Sequence, residues 1–235
     1  MALILCLETA THLCSVALVR DGRVVAERNE EGAGHIHAER LHVLVQQVMV
    51  QAMVAFDRLN AVAVGIGPGS YTGLRIGVSA AKGYCHALGI PIIGISTLRI
   101  LEAAFRGLEG SAPNGGILLP MIDARRMEVF TLPIDPGGKP EPDGAMPLIL
   151  DEAWRRSLNL AGPCVVFGDG ADKAASFWRT EEMVEHVPGV KPWARAMASI
   201  AQERLAHGQV DDLAYLVPKY GKEANVTAQA RPTAS

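Results

Sequence analysis

The sequence has no Cys-x-x-Cys pair, no long apolar run and no excess of positive charge. Its four cysteines, Cys6, Cys14, Cys85 and Cys164, favour reduced, buried thiols over a disulfide framework. No uninterrupted stretch of about 18 apolar residues occurs, so no membrane span is expected. The formal net charge of −3 argues against binding nucleic acid through bulk charge alone. The N-terminus has no basic region and includes Glu8, which predicts a core strand in a cytoplasmic protein rather than a signal peptide.

Standard catalytic and metal-binding motifs are also missing. The sequence holds no Gly-x-Ser-x-Gly and no His-Glu-x-x-His, so a hydrolase of standard type has no support. His35, His37 and His42 suggest a metal site, but the spacing of His37 and His42 points them to different faces of a helix. We therefore expect no metal ion and no catalytic residue.

The apolar pattern predicts an α/β protein. Residues 3–7 form a continuous apolar run, and two strand-like segments flank Asp21-Gly22, a dipeptide typical of a type I′ hairpin turn. Further strands are predicted at 61–66 and 91–95, and helices at 37–56, 71–88 and 97–105. An antiparallel meander followed by alternating helices and strands matches, by analogy of topology, one lobe of the two-lobed actin-like or ribonuclease-H-like (ASKHA) architecture, each lobe a mixed sheet with helices.

A glycine-rich break at residues 106–116 predicts a boundary between two lobes. We place the first lobe at residues 1–107 and a smaller, degenerate lobe at residues 108–235. In the second lobe, strands are expected at 117–122, 128–134 and 164–167, and helices at 151–160, 171–180 and 192–207. The tail after Tyr220 has little to bury and is expected to be mobile.

The first two predicted helices carry more apolar surface than one domain needs. The first has apolar residues on two sides, so we expect it to be covered twice. The second contains three glycines, at 73, 77 and 83, although glycine costs about 1 kcal/mol per helix position relative to alanine. Close approach of another backbone would explain these glycines.

Two interpretations stay open for these helices: burial within their own domain, or a helix-to-helix interface with a partner. We favour the interface. For Arg75 and Lys82, the two cations assigned to this interface, exposure to solvent on the helix face is the open alternative. The residues assigned to the interface are Leu41, Val45, Val48, Gly73, Arg75, Gly77, Ala80 and Lys82.

Three loops are candidates for binding an anion. The segment 65–70, Gly-Ile-Gly-Pro-Gly-Ser, lies between a strand and a helix, where backbone N–H groups can bind phosphate through Gly69 and Ser70. Its spacing fits neither a Walker A loop nor a dinucleotide fingerprint, and a tight structural turn is the alternative. In the second lobe, the segments beginning at Asp123 and Gly168 can each contact phosphate or serve as a turn with a helix cap.

The run GIGPGSYTGLRIGVSAAKGYCHALGIPIIGISTL at residues 65–98 is very similar to the signature region of the TsaB family. Shorter segments match as well, so that the resemblance covers nearly the whole chain in order. They are LETATHLCSVAL at 7–18, HAERL at 37–41, IDARRMEVF at 122–130, FGDGA at 167–171 and LVPKY at 216–220. The resemblance implies the two-lobed actin-like fold.

The resemblance also implies partners. TsaB proteins resemble TsaD, the subunit that transfers a threonylcarbamoyl group to an adenosine beside the anticodon of tRNA. A non-catalytic subunit that binds and activates TsaD is therefore expected, with the ATPase subunit TsaE in the larger complex, tRNA reached through that complex, and a homodimer when TsaD is absent. No cofactor is required, and ATP or ADP is a candidate ligand at the partner interface. The metal-holding histidine pair of TsaD-type relatives would fall at Thr97 and Leu101, which cannot ligate a metal as histidine does.

The sequence departs from the family pattern at three places. The first phosphate-loop acid is commonly aspartate and here is Glu8, which with Thr9 completes the candidate nucleotide contacts. The turn at 123–126 lacks the glycines of the second phosphate loop in actin-like ATPases, and the closing segment 219–221 differs from the usual Tyr-x-Arg. The alternatives are a stand-alone actin-fold ATP-dependent enzyme, a glycoprotease-type peptidase, and a structural homodimer without a tRNA role.

Overall fold

The computed structural model describes residues 2–32, 36–108, 116–135, 145–154, 156 and 162–222. The strands of its first sheet are β1 (Leu3–Glu8), β2 (Leu13–Arg20), β3 (Arg23–Glu31), β4 (Ala61–Gly67) and β5 (Ile92–Ser96). Their order is β3-β2-β1-β4-β5, with β1 antiparallel to β2 and parallel to β4. The apolar run predicted at residues 3–7 is therefore the central strand, which is buried on both faces.

The β2–β3 hairpin turns at Asp21 and Gly22, as the sequence predicts. Both residues have positive φ angles, 48° and 76°, which a type I′ turn requires at its two central positions. Asp21 Oδ1 also accepts a hydrogen bond from the backbone N–H of Ala2 at 2.8 Å. The turn is thereby tied to the start of the central strand.

Three helices follow in the first lobe: α1 (Ile36–Gln51), α2 (Tyr71–Leu88) and α3 (Thr97–Arg106). The bounds of α2 agree with the prediction, because Ser70 caps its N-terminus and Gly89, with φ of 65°, ends it. α1 ends before the predicted residue 56, since Met53 adopts a left-handed φ of 52°. No helix among the described segments is long and apolar enough to cross a bilayer.

The second sheet repeats the topology of the first. Its strands are β6 (Ile117–Asp123), β7 (Glu128–Thr131), β8 (Met146–Ile149), β9 (Cys164–Phe167) and β10 (Val184–Val187), in the order β10-β9-β6-β7-β8. β6 is antiparallel to β7 and parallel to β9, as β1 is to β2 and β4. The predicted two-lobed α/β fold is confirmed, and the pairing scheme is duplicated although the sequence shows no residue-level repeat.

The later helices are α4 (Asp169–Asp172), α5 (Ala175–Trp178) and α6 (Ala198–Ala206), and a 3-10 turn, Ala194–Met197, precedes α6. The single helix predicted at 171–180 is divided, because Ala174 leaves helical geometry with φ of −100° and ψ of 20°. Much of the helix predicted at 151–160 lies outside the described residues. So does most of the tail after Tyr220.

Both faces of the first sheet are covered, one of them by the C-terminal helix. Leu5 and Leu7 share a core with α1 and α2, whereas Ile4 and Cys6 share a second core with Ala201 of α6. The sequence placed residues 192–207 in the second lobe, and the structure corrects this by packing them on the first sheet. The division of the chain at residues 107 and 108 stays a prediction.

One side of α1 is exposed among the described residues. Val50 of α1 and Met53, just beyond the end of the helix, have exposed fractions of 70% and 92%, whereas the opposite side of the helix is buried in the first core. The described part of the chain therefore supplies the double covering predicted for α1 on one side only.

The packing of α6 on the first sheet makes Ala201 sensitive to volume. Ala201→Leu adds bulk at a fully buried position, so we expect a loss of about 1–3 kcal/mol in the free energy of unfolding. Ser199→Leu, on the exposed side of the same helix, is the matched control and should change stability by less than about 0.5 kcal/mol. Urea denaturation measures both, and equal effects of the two variants would contradict this packing.

Candidate functional site

A turn follows the central strand of each sheet. The first turn, residues 9–12, follows β1, and the second turn, residues 123–127, lies between β6 and β7. Burial raises the pKa of Asp169, which begins α4 of the second lobe, and an electrostatic interaction with His12 of the first turn acts in the opposite direction. We call the space between the two turns the inter-lobe cleft.

Glu8 is buried at the end of β1, beside this cleft. Its Oε1 accepts a hydrogen bond from the backbone N–H of Ala10 at 2.6 Å, and its Oε2 has no partner among the described residues. Oε2 lies so near Gly65 that a Cβ there would be 2.0 Å away. Burial raises the pKa of Glu8 to about 8, so that the side chain is mostly protonated at neutral pH.

Thr9 joins the first turn to α2 at two glycines. Thr9 Oγ1 donates a hydrogen bond to the carbonyl of Gly73 at 2.8 Å. A Cβ at Gly77 would lie 2.3 Å from the same hydroxyl, and a Cβ at Gly73 would lie 2.1 Å from the backbone oxygen of Thr9. The close approach inferred from these glycines is therefore made by the chain's own first turn.

The loop at residues 67–70 is packed on the same turn. The backbone N–H of Ser70 donates to the carbonyl of Ala10 at 2.7 Å, and a Cβ at Gly69 would lie 2.4 Å from that oxygen. Ser70 Oγ accepts a hydrogen bond from the N–H of Gly73 at 3.3 Å. Because these N–H groups are already satisfied, the geometry favours a tight structural turn over a phosphate loop.

The six predicted nucleotide contacts fall into two groups. The side chains of Glu8 and Thr9 are 0% exposed, and Gly168 is buried with φ of 104° against the carbonyl of Met121. Because they are buried, the side chains of Glu8 and Thr9 cannot contact a nucleotide, which corrects the prediction for these two residues. Gly69, Ser70 and Asp123 are at least partly exposed, and for these three and for the backbone of Gly168 nucleotide contact stays a prediction.

The second turn is exposed and charged, in contrast to the first. Asp123 accepts a hydrogen bond from the N–H of Arg125 at 2.7 Å and forms an ion pair with Lys173. Arg125 and Arg126 have positive φ angles of 68° and 49°, a conformation that costs roughly 1–2 kcal/mol in residues other than glycine. Lys173 was not singled out from the sequence. Its four-residue spacing from Asp169 could have indicated it, because this spacing places the cap residue Lys173 on the same side of the helical turn as Asp169.

The predicted partner interface includes residues that the structure buries. Leu41, Val45 and Val48 are 0% exposed and lie in the core between α1 and the first sheet. Gly73 and Gly77 are buried under the first turn. These five residues are not at the surface, which corrects that part of the prediction, because the stripe they form faces their own domain.

Arg75, Ala80 and Lys82 remain available on α2. Arg75 Nη1 donates to the hydroxyl of Tyr71 at 3.0 Å, and its guanidinium lies 5.2 Å from the ring centroid. Lys82 Nζ donates to the carbonyl of Ala214 at 3.1 Å. Ala80 is half-buried at the margin of the first core. Partner contact by these three stays a prediction.

One edge of α2 presents small side chains to solvent. Ser79, Gly83 and Ala87 are exposed and follow one another at four-residue spacing, and we call them the small-residue ridge. A Cβ at Gly83 would meet no atom within 4 Å. Packing among the described residues therefore does not require glycine at this position, in contrast to Gly73 and Gly77.

The described residues contain no group of three or more His, Cys, Asp or Glu side chains that could hold a metal ion. Thr97 and Leu101, the positions compared with a metal-holding histidine pair, are both fully buried. His37 Nε2 lies 3.3 Å from the carbonyl of Leu13, and burial lowers its pKa. His35 lies outside the described residues.

Comparisons with known proteins find sequence similarity over about half of the chain. The family model of TsaD, tRNA N6-adenosine threonylcarbamoyltransferase, matches residues 29–140. Over 129 residues the chain is 40% identical to the tRNA threonylcarbamoyladenosine biosynthesis protein TsaB of Escherichia coli (strain K12), covering 54% of this chain and 52% of that protein. TsaB of Bacillus subtilis (strain 168) is 35% identical over 128 residues, with 54% and 53% covered. The chain thus spans about half the length of the curated relatives it matches.

Two solved structures extend the likeness to both lobes. YeaZ from Pseudomonas aeruginosa is 26% identical, has a TM-score of 0.73, and is matched over 94% of this chain and 100% of its own. A second structure, described as an uncharacterized protein with similarity to peptidase YeaZ from the same species, has a TM-score of 0.74 at 26% identity and the same coverage. These comparisons confirm the resemblance to the TsaB (YeaZ-type) proteins.

The buried carboxyl of Glu8 predicts a pH dependence of stability. Its pKa is about 8 in the folded protein and 4.5 ordinarily, so the folded state holds a proton that the unfolded chain releases between these values. Stability should fall as pH rises through this window, by up to about 1.4 kcal/mol per pH unit. Glu8→Gln removes the titration and should flatten this slope in urea denaturation from pH 5 to 8. Glu182→Gln, at an exposed position, should keep it, and an unchanged slope in Glu8→Gln would contradict the assignment.

The glycines of α2 are expected to respond oppositely to alanine. Gly77→Ala places a methyl group 2.3 Å from Thr9 Oγ1 and should lower the free energy of unfolding by about 1–3 kcal/mol. Gly83→Ala meets open space and should raise it by about 0.5–1 kcal/mol, because alanine is the better helix former. Thermal and urea unfolding check both signs, and stabilisation by Gly77→Ala would show that the first turn is not tightly held.

Proposed function

From the confirmed resemblance to the TsaB (YeaZ-type) proteins, we propose that this chain is a non-catalytic subunit in the formation of threonylcarbamoyladenosine in tRNA. It binds a TsaD-type threonylcarbamoyltransferase and stabilises the active arrangement of that enzyme. The relatives named for this pathway and the match of the TsaD family model to residues 29–140 support the assignment.

The small-residue ridge of α2 is the observation that carries the proposal. Small residues at four-residue spacing let a second helix approach closely, with its side chains filling the grooves beside the ridge. Packing among the described residues does not require a glycine at position 83. Next to it, α1 contacts α2 through His42 and Tyr84 (2.8 Å) and contributes the exposed side chain of Val50. Together α1 and α2 offer a partner two adjacent helices.

The charge of α2 indicates the kind of partner. The helix contains the cations Arg75 and Lys82 and no aspartate or glutamate, although the chain as a whole carries a formal charge of −3. A partner helix with acidic residues at its edges would therefore be attracted to this face. Lys82 is tied to the carbonyl of Ala214, so it offers its charge from a fixed position.

A non-catalytic role is supported by the inter-lobe cleft. Glu8, at the place of a phosphate-loop acid, is buried and mostly protonated at neutral pH, so it is poorly suited to orient a phosphate-bound cation. The loop at 67–70 has its N–H groups of Ser70 and Gly73 satisfied within the chain. Thr97 and Leu101 offer no metal ligands equivalent to a histidine pair.

The remaining components of the proposal concern the assembly. TsaE, the ATPase subunit, joins the complex of this chain with TsaD, and tRNA is reached through that complex. ATP or ADP is the candidate ligand at the interface between the subunits rather than in the closed part of the cleft. When TsaD is absent, two copies of this chain pair through the same helical face.

The decisive experiment measures binding of the purified chain to TsaD from the same organism by size exclusion with light scattering and by calorimetry. Gly83→Arg places a long side chain on the ridge without touching the core, and should weaken binding at least tenfold, which is about 1.4 kcal/mol. The homodimer should weaken in parallel. The expected gain in helix stability for Gly83→Arg separates lost binding from lost folding.

Ser199→Arg is the matched control, since it adds the same side chain to an exposed helix position on the opposite face of the first sheet. It should bind TsaD as the wild type does. Absence of binding by the wild-type chain, with or without nucleotide, would overturn the proposed function. Equal binding by Gly83→Arg would leave the pairing with TsaD intact but remove the ridge from the interface.

A further inference from the structure

The last described segment, residues 211–222, runs along the first lobe and ends on the second. We call it the C-terminal strap. It follows α6 and contains no helix or strand, only a bridge to β5 at Asp211 and a turn at residues 213–215. Its contacts fall at three places: the outer edge of the first sheet, the start of α2, and the β6–β7 hairpin of the second lobe.

The strap begins on the edge strand of the first sheet. The N–H of Asp211 donates to the carbonyl of Ile92 at 2.9 Å, and Asp211 Oδ2 accepts from the N–H of Gly94 at 2.8 Å. Arg204 donates to the carbonyl of Gly94 at 2.6 Å and to Asp211 at 3.0 Å. These bonds satisfy the outward backbone groups of β5 and fix the first end of the strap.

Residues 219 and 220 of the strap contact the end of β4 and the start of α2. The N–H of Lys219 donates to the carbonyl of Ile66 at 2.7 Å, and the carbonyl of Lys219 lies against Gly67, where a Cβ would be only 2.2 Å away. The ring of Tyr220 lies on that of Tyr71, in the first turn of α2, with 4.5 Å between centroids.

The strap then reaches the second lobe within two residues. Gly221, with φ of 74°, lies on the ring of Phe130 in β7, so closely that a Cβ would be 2.6 Å from it. Lys222 forms an ion pair with Glu128 at the start of β7 and lies 5.8 Å from the centroid of the Phe130 ring. Its hydrogen bond lowers the pKa of Glu128. Residues 219–222 therefore touch both lobes.

The strap and α3 connect the lobes from opposite sides of the first sheet. Ile100 of α3 belongs to the core on the α6 face, while Phe105 of the same helix stacks on Phe167 of the second lobe at 4.4 Å. Leu213 and Leu216 of the strap pack instead on the core of the α1 and α2 face. α3 thus joins the lobes on one face of the first sheet, and the strap runs from the other face to the second lobe.

We propose that the C-terminal strap is a clasp that holds the two lobes at a fixed distance, with Tyr220 fastened to the first lobe and Gly221 and Lys222 to the second. The contacts at its second end are one partly exposed ion pair and one ring face, which are individually weak. The clasp therefore opens without unfolding either lobe. The proposal concerns the chain alone and does not depend on the function proposed above.

Pulsed electron–electron distance measurements on spin-labelled protein test the clasp. The label sites are Asp57→Cys in the first lobe and Glu182→Cys in the second, both exposed. The four native thiols are buried, and burial raises the pKa of Cys6 to about 12 and that of Cys164 to about 11, so they resist labelling at neutral pH. Dilution with unlabelled protein removes distances between copies.

With the strap intact, one narrow distance distribution is expected. Tyr220→Ala combined with Lys222→Ala should add a population with changed distance, at least tenfold more abundant than in the parent protein. Tyr215→Ala is the matched control on the same strap, because this side chain is 82% exposed, and it should leave the distribution unchanged. Far-UV circular dichroism verifies that both lobes stay folded.

Gly221→Ala provides a second, milder variant that keeps the charge and the tyrosine. Its methyl group would meet the Phe130 ring, so it should lift the end of the strap and broaden the distribution in the same direction. If the double variant does not fold, Gly221→Ala decides the matter alone. Distributions in these variants that superimpose on that of Tyr215→Ala would overturn the proposal and leave α3 as the connection that sets the lobe distance.

Discussion

The close approach of the first turn to α2 shapes the whole first lobe. Thr9 reaches the helix where Gly73 and Gly77 leave room for it, and its hydroxyl is bonded to the carbonyl of Gly73. This contact brings Glu8 over Gly65, away from water, where the carboxyl keeps its proton at neutral pH. It also brings the loop at 67–70 onto Ala10. A helix with ordinary side chains at these two positions would displace the turn, the loop and the buried carboxyl together.

The two lobes share one topology but differ in the turns that follow their central strands. Both sheets have the same order of pairings around a central strand, yet the turns after those strands differ in character. The first turn is filled by packing within the chain, and the second exposes Arg125 and Arg126 beside the Asp123–Lys173 ion pair. The charge that borders the inter-lobe cleft therefore comes mainly from the second lobe.

Two surfaces follow from this arrangement. The apolar stripe of α1 and the inner glycines of α2 are buried within the domain, whereas the outer ridge of Ser79, Gly83 and Ala87 is exposed. The C-terminal strap borders the same helix, through Lys82 and Ala214 and through Tyr71 and Tyr220. A protein bound on α2 would therefore touch the segment that also reaches the second lobe, which gives a physical route from docking to lobe position.

The sequence by itself determined the two-lobed α/β fold, the hairpin at Asp21-Gly22 and the bounds of α2, because apolar period, turn residues and helix caps act over a few positions. It also showed that the glycines of α2 need a close neighbour, but not which one. Only the tertiary structure decided that this neighbour is Thr9 for Gly73 and Gly77, and that Gly83 has no such neighbour in the part of the chain that the structure describes. It likewise decided that α6 packs on the first sheet and that Glu8 is buried. Such contacts join residues far apart in the chain, and local patterns carry no information about which distant segment will fill a given space.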